Sequence, residues 1–165
     1  MNDVDSLILC QLVYLKFEGM VPQLKDNQGF VRLKTLANHP DREKLFSDER
    51  FAKDNRRLFE GMIQSRRFAN LRLNCYINVV EKGWETQFAA VTYLLDDGTI
   101  YIAFRGTDET IVGWKEDLNM AFLPSVPGQT FSAKYLNMVT ERFSNDFYVG
   151  GHSKGGNLAV YSAMN

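Results

Sequence analysis

The chain has very few of the residues that most often declare a site. Its 165 residues include two cysteines, Cys10 and Cys75, each in an apolar stretch. That excludes a disulfide-stapled secreted scaffold. One bridge is formally possible, but two buried thiols in a reducing compartment is the better reading, and cytoplasmic localisation is expected. Charge of one sign is also lacking. The formal net charge is −1, which gives no electrostatic reason for a nucleic-acid or anionic-membrane partner. Long hydrophobic runs are missing too. Leu7 to Leu15 is too short to span a bilayer, and it follows Asp3 and Asp5 rather than basic residues. It is therefore read as neither a signal peptide nor a membrane anchor, and no stable membrane insertion is expected. No repeat, low-complexity tract or cluster of metal ligands stands out, so no cofactor is expected. Oligomeric state is left open.

What is present reads as one soluble domain: 45% hydrophobic, 13% aromatic and 24% charged residues, enough to bury a real core. Asp3 or Asp5 caps an expected first helix running to about Glu18, before Gly19 and Pro22. A second short helix is expected over Val31 to Ala37. Residues 41–68 mix charges of both signs with apolar residues at three- and four-residue intervals, predicting one or two amphipathic helices with solvated faces. Arg56-Arg57 and Arg66-Arg67 belong to those faces. Beyond Ala69, Leu71, Leu73, Cys75, Ile77 and Val79 alternate as in a strand. Phe88 to Leu95 and Thr99 to Phe104 read as two more strands around an Asp96-Asp97-Gly98 turn. Residues 107–129 read as irregular, Phe131 to Phe143 as a helix, and Phe147 to Gly150 as a last strand.

That strand leads into Gly150-Gly151-His152-Ser153-Lys154-Gly155-Gly156-Asn157-Leu158-Ala159. Gly151, Ser153 and Gly155 fit the G-x-S-x-G turn that presents a nucleophilic serine between a strand and a helix. A serine thrust into a cleft sits on a strained, tight turn, where side chains two positions either side would collide. The following helix aims its free N–H groups at developing negative charge. A phosphate loop is the competing reading of the glycines. It requires glycine, lysine and then serine or threonine, and here Ser153 precedes Lys154.

A second signal is Ala103-Phe104-Arg105-Gly106-Thr107-Asp108, with Trp114-Lys115-Glu116-Asp117-Leu118 soon after. Acyl transfer at a serine needs two N–H donors converging on the oxyanion. One comes from the residue after the nucleophile, here Lys154, and one from a loop ending an earlier strand. Gly106-Thr107 suits that loop, and the Thr107 hydroxyl could add a third donor. The bland alternative is an ordinary strand-to-loop turn.

Taken together, Ala103 to Thr107, Trp114-x-x-Asp117-Leu118 and Gly151-His152-Ser153-x-Gly155-Gly156 resemble the class 3 (fungal-type) lipases. Lys154 followed by Gly-Gly-Asn-Leu-Ala resembles a bacterial branch of that superfamily. The resemblance covers about residues 70–165. It implies an α/β-hydrolase fold, an acyl-enzyme mechanism on ester or lipid-like small molecules, Ser153 as nucleophile, and Thr107 with Lys154 as the oxyanion hole. It further implies that Arg105 and Asp117 brace the oxyanion loop as an ion pair and that Trp114 is a packing anchor. Met120 to Leu123 would be either a flap over the site or core.

The chain departs from that pattern in one respect. The triad order in this fold is serine, acid, histidine, and only His39 and His152 are present. His152 is expected beneath the turn with its ring directed away from the serine hydroxyl, and His39 in a solvated loop. Asp108 and Asp117 belong to the oxyanion segment. The resulting expectation is a single α/β-hydrolase-like domain, with a helical region at 1–68 and the front part of the hydrolase core at 69–165. Three accounts of the missing base compete: a longer parent chain, a site completed across an oligomer, and a non-catalytic binding module on the same scaffold. The first is favoured because the last helix carries no stop signal.

Overall fold

A computed structural model describes residues 1–47, 51–81, 86–107 and 111–165. It shows a mixed α/β fold. Five strands form an open sheet in the order β1-β2-β3-β4-β5. They are β1 (Val31–Arg32), β2 (Arg72–Glu81), β3 (Thr86–Leu94), β4 (Ile100–Phe104) and β5 (Phe147–Gly151). The first four are antiparallel neighbours, whereas β4 and β5 run parallel with Phe104 opposite Gly151. The Asp96-Asp97-Gly98 turn is as expected. Gly98 has φ +85°, Asp97 Oδ1 accepts from the Thr99 amide, and Leu95 N–H donates to Thr99 O.

One face of the sheet is covered by α1 (Asp3–Leu12) and α3 (Ala52–Gln64), with a 3-10 turn at Arg42–Phe46 between them. Leu9, Leu12, Phe17, Phe59, Leu73 and Tyr93 are buried there. On the other face, α5 (Pro127–Arg142) and α6 (Lys154–Met164) pack Tyr135, Val139 and Leu158 against Phe88, Ile102 and Phe104. Among the described residues no helix is long and apolar enough to cross a membrane. Cys10 and Cys75 are both buried and free.

Several expectations are corrected. The cap of α1 is Asn2, whose Oδ1 accepts from the Asp5 amide while Asp5 Oδ2 accepts from the Asn2 amide. This helix stops at Leu12 rather than near Glu18. Val13, Tyr14, Leu15 and Phe17 are all buried, so the segment has no solvent face to wind around, and the Lys16 amide goes to Leu45 O. Val31–Arg32 is a short strand, and only Leu33–Leu36 (α2) is helical. The alternation in β2 does not keep one face. A bulge between Asn74 and Ile77, with Cys75 at φ +56°, moves Cys75 and Ile77 to the side of the sheet opposite Leu73. Burial pushes the Cys75 thiol up to about 11. The stretch expected to be irregular contains α4 (Ile111–Asn119) and the first turn of α5.

Candidate functional site

β4 and β5 end side by side, so the loop after Phe104 and the turn after Gly151 leave the sheet together. Ser153 lies between β5 and α6 at φ 57°, ψ −125°. That combination is outside both the right- and left-handed helical regions, and strain of this kind costs about 1–3 kcal/mol. The turn closes with Gly155 N–H donating to His152 O and Gly156 N–H donating to Ser153 O, both at 2.9 Å. A Cβ on Gly151 would run into the backbone of Gly155, and one on Gly155 into the carbonyl of Phe104. Both glycines therefore allow backbone to meet backbone, as the motif requires. Ser153 is exposed.

The Gly106-Thr107 segment passes directly beside the serine. A Cβ on Gly106 would stand 3.3 Å from Ser153 Cβ and 2.5 Å from both His152 O and the Tyr14 hydroxyl. Among the described residues, neither the Thr107 nor the Lys154 amide is spent on a backbone hydrogen bond. The Thr107 hydroxyl, by contrast, donates to Asp117 Oδ2, which commits its one proton and removes it as a third donor.

Among the described contacts there is no Arg105–Asp117 ion pair. Arg105 is almost wholly buried and donates to Asn78 Oδ1 at 2.9 Å, while Asp117 takes the Thr107 hydroxyl. Asp117 still braces the loop, through a hydroxyl in place of a guanidinium. Trp114 is not a packing anchor, being 58% exposed. On α4 and the turn after it, Ile111, Trp114, Leu118, Phe122 and Leu123 all face outward, with Phe122 84% exposed. Met120 to Leu123 is therefore not core. Asp108 lies outside the described residues.

His152 is exposed rather than beneath the turn, and its Nδ1 lies 3.2 Å from the Tyr14 hydroxyl. His39 is in an exposed loop, accepting from the Asp41 amide at 3.1 Å. Arg67 pairs with Asp5 and Arg56 with Glu43. Among the described residues no three metal-ligating side chains converge. A groove of about 470 Å³ lies away from the serine, between α5 and the β2–β3 hairpin, walled by Ile77, Phe88, Phe131 and Tyr135.

Comparison with known families decides one point. The Mbeg1-like family matches residues 62–165. The chain belongs to the Mbeg1-like family. The matched stretch holds Arg105 to Thr107, α4 and the Ser153 turn, and it leaves α1 and most of α3 outside. No curated protein and no solved structure shows a significant match.

Three site residues had no separate role in the sequence reading. Glu116 and Gln87 are buried polar side chains at the foot of the serine turn, and Tyr14 reaches the turn from the N-terminal region. Glu116 stands inside the Trp114-x-x-Asp117 block. Its only sequence signal was a carboxylate one position before the one that drew attention.

Proposed function

We propose that this Mbeg1-like chain carries the nucleophile and oxyanion donors of a serine hydrolase, on an α/β-hydrolase-type core, acting on carboxylic esters or lipid-like acyl compounds. The observation that carries the reading is Ser153 itself: exposed, at φ 57° and ψ −125°, on a strand-to-helix turn walled by Gly151 and Gly155. In this mechanism Ser153 Oγ bonds to the acyl carbon, and the carbonyl oxygen takes up negative charge facing the amides of Thr107 and Lys154. The alcohol then leaves, and water hydrolyses the acyl-enzyme. The outward apolar side chains of Ile111, Trp114, Leu118 and Phe122 suit an acyl substrate. Two free buried thiols accord with a cytoplasmic protein.

The serine proton needs an acceptor, and neither histidine is placed as one: His39 caps a remote loop, and His152 faces Tyr14. That observation favours a second reading, a binding module on a hydrolase scaffold. A fluorophosphonate probe with and without added imidazole separates the two. Ser153 should label slowly alone, since oxyanion donors without a complete triad retain roughly 10³–10⁴-fold acceleration over water. Imidazole should speed labelling by accepting the serine proton, and Ser153→Ala should abolish it. Absence of Ser153-selective labelling under both conditions favours the binding module.

A further inference from the structure

We infer that Lys154 and Glu116 form a buried clamp that positions both candidate oxyanion amides, with the Lys154 side chain acting as a positioning group. Both side chains are 1% exposed and lie 2.7 Å apart, Nζ to Oε2. The ammonium has three hydrogens and meets three acceptors: Glu116 Oε2, Gln87 O at 2.8 Å and Gln87 Oε1 at 3.3 Å. These three bonds point Nζ at Gln87 and Glu116, and among the described residues none joins it to Ser153, so the side chain is read as a positioning group rather than as a base.

Glu116 takes two further donors besides Lys154. It accepts from the Gln87 amide at 3.1 Å and from the Gly128 amide at 2.9 Å. Gly128 is required for that approach, since a Cβ there would stand 2.9 Å from Glu116 Oε1. Gln87 completes the link, its Nε2 donating to Gly106 O at 3.4 Å. One cluster thus joins the residue before Thr107 to the side chain of Lys154, and these flank the two amides that face the oxyanion.

An apolar side chain could fill the same space without the cost of drying two charges. What the charges add is direction: each hydrogen bond fixes one segment relative to the others. The cluster also accounts for the orientation of α4. Its carboxylate must point inward, which turns Ile111, Trp114 and Leu118 outward. The catalytic half of this inference rests on the serine-hydrolase reading, whereas the positional half does not.

The deciding protein is the double variant Lys154→Met/Glu116→Gln, because either single change strands a buried partner and destabilises the fold for that reason alone. Two measurements are made on it: hydrogen exchange at the Gly155 and Gly156 amides, whose bonds close the serine turn, and the rate of Ser153 phosphonylation in imidazole. The clamp requires faster exchange at those amides while α1 and α3 stay protected. It also requires labelling slowed by about a hundredfold, the scale of a misplaced reacting group. Wild-type exchange and wild-type labelling in a folded double variant would overturn it. If the unmodified protein never labels but the double variant still exchanges faster at the turn, the clamp stands and the hydrolase reading falls. Should the double variant not fold, Glu116→Asp keeps the charge, shortens its arm and is read by the same two measurements, with the same outcomes required.

Discussion

On the face of the sheet beneath α1 and α3, Leu9, Leu12, Phe17, Phe59 and Leu73 form a continuous apolar cluster. Of the ion pairs around it, Arg42–Glu60 and Arg56–Glu43 are partly exposed on both sides, and in Asp5–Arg67 only the carboxylate is buried. At the serine end the proportions reverse. Glycines let backbone touch backbone at Gly151 and Gly155, and the local ion pair is dry. The first region asks only that residues be apolar and of suitable volume, because dispersion and burial are not directional. The second asks for particular residues, because one added methyl group or one removed charge has no nearby accommodation.

The sharpest way to break this contrast is Gly155→Ala. Its new Cβ meets the Phe104 carbonyl, part of the rigid β4 backbone, and no flexible side chain can yield. The expected loss exceeds the usual 1–3 kcal/mol of overpacking, with Ser153 labelling abolished. Thermal unfolding and the labelling assay check both. Next comes Phe59→Ala, which empties a fully buried ring site where α3 packs edge-on against Phe46 of the 3-10 turn. A cost of about 3–5 kcal/mol is expected. Because the serine turn takes its close contacts from β4, α4 and β3 rather than from α3, the labelling rate at a temperature where the variant is folded should be unchanged. A large labelling defect there would show that the two regions are not separable.

The smallest effect concerns pH. The Arg67 guanidinium holds the Asp5 carboxyl below its usual range, burial opposes it, and the Asn2 amide adds to the lowering. A carboxyl whose folded value is depressed contributes stability that is fully present above its unfolded value. That stability is lost as pH falls through the folded value. Arg67→Gln should therefore flatten the acid limb of the stability–pH curve and leave neutral-pH labelling unaffected. An unchanged acid limb would count against the pairing.

The same contrast explains what the sequence made legible. The serine turn was readable residue by residue because steric closeness leaves only glycine at 151 and 155. The Asp96-Asp97-Gly98 turn was readable because Gly98 needs positive φ. α4 was not. Ile111, Trp114 and Leu118 recur at helical spacing, but they face outward and the buried side is Gly113 and Glu116. Periodicity assumes that apolar means inward, and a buried charged anchor breaks that assumption. The end of α1 failed for the opposite reason, since Val13 to Phe17 is apolar and buried without being helical. The bulge at Cys75 was invisible because shifting faces by one residue alters geometry, not composition. As for Arg105 and Asp117, the pairing was implied by the family resemblance, and the described hydrogen bonds run instead from Arg105 to Asn78 and from Thr107 to Asp117.

The parallel pairing of β4 with β5 bears on how the protein folds. β2, β3 and β4 are antiparallel neighbours joined by short connections, so their contacts close small loops. β5 reaches β4 only after the chain has passed through α4 and α5, and this crossover carries the larger loop-closure entropy. Gly106 and Ser153 lie on opposite sides of that closure. A folding intermediate holding only the three-stranded meander would contain a hydrophobic nucleus and no site. On the proposed serine-hydrolase reading, labelling of Ser153 during refolding should therefore report completion of the crossover rather than collapse of the core.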